Sequence, residues 1–504
     1  MPRTTKAIMR IDLAAVLTGL SFSAIAECSS IQVIGWSTLG HDPQTVNRLN
    51  GESFQQDALV TFGSYQYAVH YLPSAVNASV RHPSLSRRSL NSSGAGNWIT
   101  ATFTDYNQID DDGHNIISLG ISPGDGTLHL AYDQHDNPLV YRISYPGLAT
   151  QPPSDSDWPS VTSLFTPVLD YLPDLTTLDK NTYFINVTYP RFLRIPEAAR
   201  IDKEDLLLEL RVGRSGLGDD WLYTYTPDVG WELAGRYLEG VNNNAYINGL
   251  DYDYKGNLHV TWTYRDYVND TGQDFAVEAG PNGPENNHDV NYAYSPPGSK
   301  LTTWKNNWGQ VVGNLSASDI PLNAEPIVPA SAGIVMFGIP KYGGILNQEA
   351  QTVDRDDRVH VLNRENTTGT ERWYHYWRST TNDWTRTPLP LTIDLPSINN
   401  VTSTPTAIGK RGKLVSIPTS SSSTTPTTML YILPSNAANS TGLSILATTA
   451  SGHFQDWRVV WEVTEGCAWE PLFDRYRLER DGVLSLYFVN GTDVGVLDLD
   501  LSEL

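Results

Sequence analysis

A polar turn followed by an apolar, polar, apolar triplet recurs three times along the chain, as Asp125-Gly-Thr-Leu-His-Leu130, Lys255-Gly-Asn-Leu-His-Val260 and Asp356-Asp-Arg-Val-His-Val361. Alternation of this kind sends successive side chains to opposite faces of a strand. Each copy leads to a second strand pattern ending in a similar phrase: Asn137-Pro-Leu-Val-Tyr-Arg-Ile-Ser144, His288-Asp-Val-Asn-Tyr-Ala-Tyr-Ser295 and Arg372-Trp-Tyr-His-Tyr-Trp-Arg-Ser379. The linking segments differ in length, as loops do. A hairpin repeated with variable loops predicts a β-propeller, whose blades are small antiparallel sheets packed side by side. Weaker strand patterns at 58–70, 206–225, 413–433 and 482–488 supply the rest. The expectation is an all-β chain with a single seven-bladed propeller over residues 27–504.

Composition agrees with this reading. The 504 residues include 26 Tyr, 14 Trp, 39 Gly and 31 Pro, which favour strands and turns, while helix-forming runs are scarce. A stretch rich in Ser, Thr and Pro, 402–428, is where a strand is hardest to place. The net charge of −22 argues against nucleic acid or an anionic membrane as partner, because a polyanion needs a basic footprint.

Residues 1–26 carry Arg3, Lys6 and Arg10, then an apolar segment, and end in Ala24-Ile25-Ala26. They read as a cleaved signal peptide whose apolar part is too short for a membrane span, so a secreted, extracellular protein is expected. Cys28 and Cys467 are the two cysteines. An oxidising compartment permits them to pair, and the bond would clasp the ends of a closed ring; two unpaired thiols are the alternative. Sequons at Asn77, Asn91, Asn186, Asn269, Asn314, Asn366, Asn400, Asn439 and Asn490 fit the same route. A monomer is expected.

Propellers bind ligands at one end of the central axis, on loops that enter the innermost strands. The polar phrases expected there are Tyr65-Gln66-Tyr67, Gly113-His114-Asn115, Val187-Thr-Tyr-Pro-Arg-Phe192, Asn244-Ala-Tyr-Ile-Asn248 and Leu346-Asn-Gln-Glu349. The phrases Asp112-Gly-His-Asn115, Thr188-Tyr-Pro-Arg-Phe192, Leu210-Arg-Val-Gly-Arg-Ser-Gly216, Asn244-Ala-Tyr-Ile-Asn248 and Leu346-Asn-Gln348 resemble BNR-repeat propellers of the polysaccharide lyase type, in an order that covers most of the chain. The resemblance extends to ulvan lyases and to fungal secreted L-rhamnose-α-1,4-D-glucuronate lyases.

The resemblance implies a catalytic set of His114, His135, Tyr189 and Arg211, with Arg214 as the alternative to Arg211. It implies β-elimination at a 4-linked glucuronate, with an anionic plant or algal polysaccharide as partner and terminal rhamnose as the released sugar. Such chemistry needs a cation to neutralise the uronate carboxylate, a base for the C5 proton and a donor for the departing oxygen. A guanidinium suits the planar carboxylate. Tyr189 is assigned as base, acid or both, which at neutral pH requires a cationic neighbour for the base role; His114 and His135 serve as base partner or carboxylate-side donors. Asn115, Arg191, Arg214, Tyr246, Asn248, Asn347 and Gln348 are candidate substrate contacts. Pro190 predicts an extended backbone at Tyr189. By contrast His129, His259 and His360 share one strand position in three blades and read as packing residues or as hydrogen-bonding links between blades.

No cofactor is required by this chemistry. The run Asp110-Asp111-Asp112 offers oxygens of the kind calcium takes but lacks the spacing of a calcium loop, so a structural calcium stays open. Two other functions compete. A sialidase-like hydrolase is suggested by the degenerate Asp-box Ser295-Pro-Pro-Gly-Ser-Lys-Leu-Thr-Thr-Trp304, against which the polar phrases are poor in carboxylates. A carbohydrate-binding propeller without catalysis would repeat an aromatic site in every blade, whereas these phrases are not equivalent.

Overall fold

The computed structural model describes residues 31–91, 94–214, 217–240, 243–266, 286–318, 321–369, 372–390, 410–417, 426–435 and 441–504. The expected signal peptide, Cys28, the sequons Asn269, Asn400 and Asn439, and much of 402–428 lie outside them. Seven antiparallel sheets form a ring, a seven-bladed β-propeller as the repeat predicted. The innermost strands are Leu59–Phe62, Ile117–Ile121, Val187–Arg194, Asn243–Tyr252, Ala350–Val353, Lys413–Ser416 and Ala468–Phe473. They run from four to ten residues, and several pack against their neighbours across the axis wall.

The triplets that announced the fold lie on second strands, Leu128–Tyr132, Leu258–Asp266 and Val359–Glu365. Their histidines are buried and bond to the third strand: His129 Nδ1 pairs with Tyr141 Oη at 2.6 Å, His259 Nδ1 with Tyr292 Oη at 2.9 Å, and His360 Nδ1 with His375 Nε2 at 2.9 Å. The role is structural as expected, but these hydrogen bonds run within each blade and not between blades, because the third strand of the same sheet presents the partner. Large aromatics fill the space between blades, where Trp158, Trp231, Trp262, Trp304 and Trp373 are almost wholly buried. Trp304, in the degenerate Asp-box, donates its indole N–H to the Leu301 carbonyl at 2.9 Å, so that phrase closes a blade hairpin.

The ring closes by strand pairing. The first strand, Gln32–His41, lies outermost in the last blade and runs antiparallel to Asp493–Asp500, from Gln32 opposite Asp500 to His41 opposite Asp493. Trp36 lies flat over Gly495, where a Cβ would come within 2.2 Å of the indole, so glycine alone allows this contact. Cys467 is buried in the same core, and its pairing with Cys28 falls outside the described residues.

One expected phrase is misplaced. Tyr65-Gln66-Tyr67 sits on the second strand of its blade, Tyr65–Pro73, because Leu59–Phe62 and a tight turn at Gly63 come first. Gln66 is buried against Arg88 and Asp474. Segment 48–57 takes the place at the axial mouth instead.

Candidate active site

The loop before strand Ile117–Ile121 carries Asp112 and His114, and the turn after Leu128–Tyr132 carries His135. Asp112 draws the two together. Its Oδ1 meets His114 Nδ1 at 2.5 Å, and its Oδ2 meets His135 Nδ1 at 2.5 Å. The same Oδ1 accepts the His114 backbone N–H at 3.0 Å, an Asx turn that fixes the loop. The imidazoles stack with centroids 3.8 Å apart and planes 22° from parallel. With Nδ1 committed to the carboxylate, each ring turns Nε2 away from Asp112. The histidine side chains are 37% and 27% exposed, open enough for a ligand to reach.

Burial alone would raise Asp112, but the two imidazole hydrogen bonds hold its carboxyl well below the usual range. His114 is lowered by burial, with His135 and Arg211 acting the same way against the pull of Asp112. The rings therefore sit on an ionised carboxylate, and His114 favours the neutral form.

Tyr189 completes the cluster from the inner strand Val187–Arg194. The extended backbone expected before Pro190 is not what forms: φ at Tyr189 is +59°, and the pairing with Leu206–Val212 slips between Thr188 and Arg191. Pro190 has no N–H for the ladder, so a bulge absorbs it and re-aims the tyrosine. The Pro190 carbonyl is then held by the Ser118 hydroxyl at 2.6 Å. Tyr189 packs edge-on to Phe54 at 5.0 Å and lies 5.8 Å from His114 and 6.2 Å from Tyr246 between centroids.

Arg211 stands over the Tyr189 ring at 5.1 Å. One of its terminal nitrogens donates to Asp136 Oδ1 and Thr188 Oγ1, both at 3.0 Å. Its stem passes Gly218, where a Cβ would lie 2.9 Å from Cγ, so the glycine makes room for it. Arg214, the alternative, is exposed on the turn beyond the strand. Burial raises the Tyr189 phenol above its ordinary value, and Tyr246 adds to this; Arg211, Arg265 and Arg411 oppose it without reversing it. In the free protein Tyr189 is thus a neutral phenol that carries its proton.

The other predicted contacts divide in two. Tyr246 is buried beside Tyr189 under the Arg265 guanidinium at 4.5 Å. Asn347 joins this layer by accepting from Arg265 at 3.0 Å. Asn115, next to His114, is buried with no hydrogen-bond partner for Oδ1 among the described residues. Arg191, Asn248 and Gln348 lie deeper in the axis and line a cavity of about 40 Å³. There Arg191 pairs with Glu209 at 3.4 Å, and Asn248 accepts the Glu349 N–H at 3.3 Å.

Sequence reasoning missed four residues. Asp112 heads a family-like phrase and closes an acidic run but carries no predicted role, though its place two residues before His114 is the signature of the Asx turn. In that run Asp111 accepts the N–H groups of Val46 and Asn47 at 2.8 and 2.7 Å, so the carboxylates face different partners. Phe54, stacked on His114 at 5.9 Å, lies in a segment without a motif. Arg265 and Arg411 approach Tyr189 from other blades, which no local pattern reveals. Asp112, His114 and His135 also place three donor atoms within 4.8 Å of one another, an arrangement that can hold a metal ion. Two imidazoles and one carboxylate suit a zinc-class ion better than calcium, which takes six or more oxygens.

Seven blades in a ring, with a polar, aromatic cluster on the loops at the mouth, define a β-propeller with a candidate active site at one end of its axis. Residues 65–391 match the model of the BNR repeat-containing family, and the chain belongs to that family. It is 26% identical over 227 residues to an ulvan lyase, long isoform, of Alteromonas sp. (strain LOR), covering 40% of this chain and 21% of that protein. A counterpart from Pseudoalteromonas sp. (strain PLSV) is 25% identical over the same extent. The match thus spans about a fifth of those relatives' length. The fold is similar to the crystal structure of the polysaccharide lyase Uly1, with TM-score 0.61 and 17% identity over 89% of this chain and 90% of that one. It is similar also to an ulvan lyase bound to -[GlcA(1-4)Rha3S]-, with TM-score 0.57 and 12% identity over 91% and 95%.

Proposed function

We infer that the protein is a polysaccharide lyase that cleaves the bond to O4 of a glucuronate by β-elimination. The observation that carries this reading is the convergence of two imidazoles on one carboxylate beside a neutral, arginine-flanked tyrosine. The likeness to ulvan lyases supports it.

The geometry divides the labour. A uronate entering the mouth brings its carboxylate toward the Arg211 side, where positive charge stabilises the enolate-like character that develops as C5 loses its proton. A neutral imidazole of the His114–His135 pair takes that proton on Nε2, and the Asp112 carboxylate stabilises the imidazolium that results. The electron pair forms the C4=C5 double bond as the C4–O bond breaks. Tyr189 gives its phenolic proton to the departing oxygen, which its burial as a neutral phenol allows. The products are an unsaturated uronate and a chain or sugar ending in a free hydroxyl.

At the finer level we propose release of terminal L-rhamnose from rhamnosyl-α-1,4-glucuronate ends of arabinogalactan such as gum arabic, by a secreted enzyme. Incubation with gum arabic and with ulvan, read by ultraviolet absorbance of the unsaturated product and by analysis of released sugar, tests both levels. Absorbance with rhamnose release from gum arabic is the expected result. Absorbance from ulvan alone overturns the rhamnosyl reading, and sugar release without absorbance points to hydrolysis.

A further inference from the structure

The same mouth carries an aromatic ring for which the reaction above has no use. Trp469 stands near the top of the inner strand Ala468–Phe473 and is 38% exposed. Its φ is +68°, and the pairing of this strand with Val483–Asn490 slips between Ala468 and Leu472. A bulky residue in the left-handed region persists only where its surroundings hold it, and such positions cluster at ligand sites. Tyr189 is set on its own inner strand by the same device, a bulge with positive φ. The difference is that Tyr189 is buried, whereas Trp469 leaves part of its ring to solvent.

What holds the indole is Arg48, whose guanidinium lies 4.6 Å from the ring centroid. Arg48 is only 8% exposed and is pinned by Glu52, Nε to Oε1 at 2.7 Å. Its Nη1 is buried with no hydrogen-bond partner among the described residues. Such a cation is costly to bury for packing alone. Segment 48–54 then runs from this platform to the catalytic rings. Gly51 accepts the Glu470 N–H at 3.1 Å, the Ser53 N–H donates to Glu470 Oε2 at 2.6 Å, and Phe54 stacks on His114. Gly113, beside His114, lies so close that a Cβ there would be 3.2 Å from the Arg48 carbonyl. Platform and reaction centre are thus parts of one rigid wall.

We propose that Trp469, oriented by Arg48, is a stacking subsite for the pyranose ring that flanks the uronate held at His114 and Tyr189; this rests on the reading of the site as one for an anionic polysaccharide. A flat, rigid indole matches the apolar C–H face of a pyranose and leaves the hydroxyl edge in water.

Native electrophoresis in gels cast with ulvan or with gum arabic, together with steady-state kinetics on the retarding polymer, tests the subsite. Trp469→Ala weakens retardation and raises KM by about tenfold with kcat little changed, and Trp469→Phe keeps most of the affinity. Trp469→Leu preserves apolar bulk without the flat face, so it behaves as Trp469→Ala and serves if that variant does not fold. The proposal is overturned if Trp469→Leu binds as the parent does, if neither polymer retards the parent, or if kcat falls with KM unchanged. Retardation of the parent without any ultraviolet-absorbing product sinks the lyase reading and leaves the gel comparison to decide the subsite.

Discussion

Two sets of histidine lie within one propeller and do opposite things with the same ring. His129, His259 and His360 sit on second strands with both nitrogens engaged, Nε2 by Thr127 Oγ1 at 2.8 Å, Asp253 Oδ2 at 3.1 Å and Asp354 Oδ2 at 3.1 Å respectively. His114 and His135 sit at strand ends and share one carboxylate through Nδ1, with no partner for Nε2 among the described residues. The first set is saturated by the fold. The second is half-satisfied, and the remaining nitrogen is what a substrate can use. The lesson is that the count of committed ring atoms, more than burial or motif, separates a structural histidine from a chemical one.

The sharpest way to break the comparison is to remove the chemical members. His114→Ala and Tyr189→Phe should each lower turnover by about 10²–10⁴-fold, the range of a lost general acid or base. Thermal melting should stay cooperative, because neither side chain holds a blade together. Near-normal turnover in both variants would place the reaction elsewhere.

A finer cut keeps both imidazoles and alters what joins them. Asp112→Asn leaves one oxygen acceptor where two were needed and puts an amide N–H against one Nδ1. One ring loses its tautomer and orientation, so kcat should fall by about 10–100-fold, the cost of an orienting partner, with KM nearly unchanged. A fall confined to KM would show that Asp112 serves binding alone.

This division explains how much the sequence could disclose. The triplets around His129, His259 and His360 made the fold legible, because a repeated hairpin must keep the hydrogen bonds that tie its second and third strands. His114, His135 and Tyr189 were named through family-like phrases, and the structure brings them together. Phe54, Arg265 and Arg411 stayed hidden because they reach the site only when blades distant in sequence close into a ring, whereas Asp112 carried a local signal, its place two residues before His114, that the acidic run around it masked. The positive φ at Tyr189 was hidden too, since Pro190 alone argues for the opposite backbone, and only pairing with Leu206–Val212 makes a bulge of it.

Removing a member of the saturated set should invert the pattern of effects. His129→Leu removes one hydrogen bond each from the Tyr141 and Thr127 hydroxyls, which keep the Trp231 indole N–H and the Asp125 carboxylate as partners, so the cost is about 0.5–1.5 kcal/mol for each bond lost. The melting temperature should drop, while kcat per folded molecule stays near that of the parent. A variant as stable as the parent but slower would move His129 into the chemical set.

The smallest effect is a slope against pH. Burial lowers His129 from its ordinary 6.5 to about 3, so below pH 6.5 the unfolded chain takes up a proton that the folded one refuses. The contribution of this residue to stability is therefore fully present above pH 6.5 and is lost as pH falls toward 3, at about 1.4 kcal/mol per unit. His360 is lowered by burial as well and adds in the same direction. His129→Gln should reduce this acid slope by the share of one buried histidine, leaving that of His70, His360 and His375 in place, as read by denaturant unfolding at pH 7 and pH 4.5. Equal slopes in the parent and in His129→Gln would mean that this ring titrates in the folded protein, and its two hydrogen bonds would then no longer mark it as saturated.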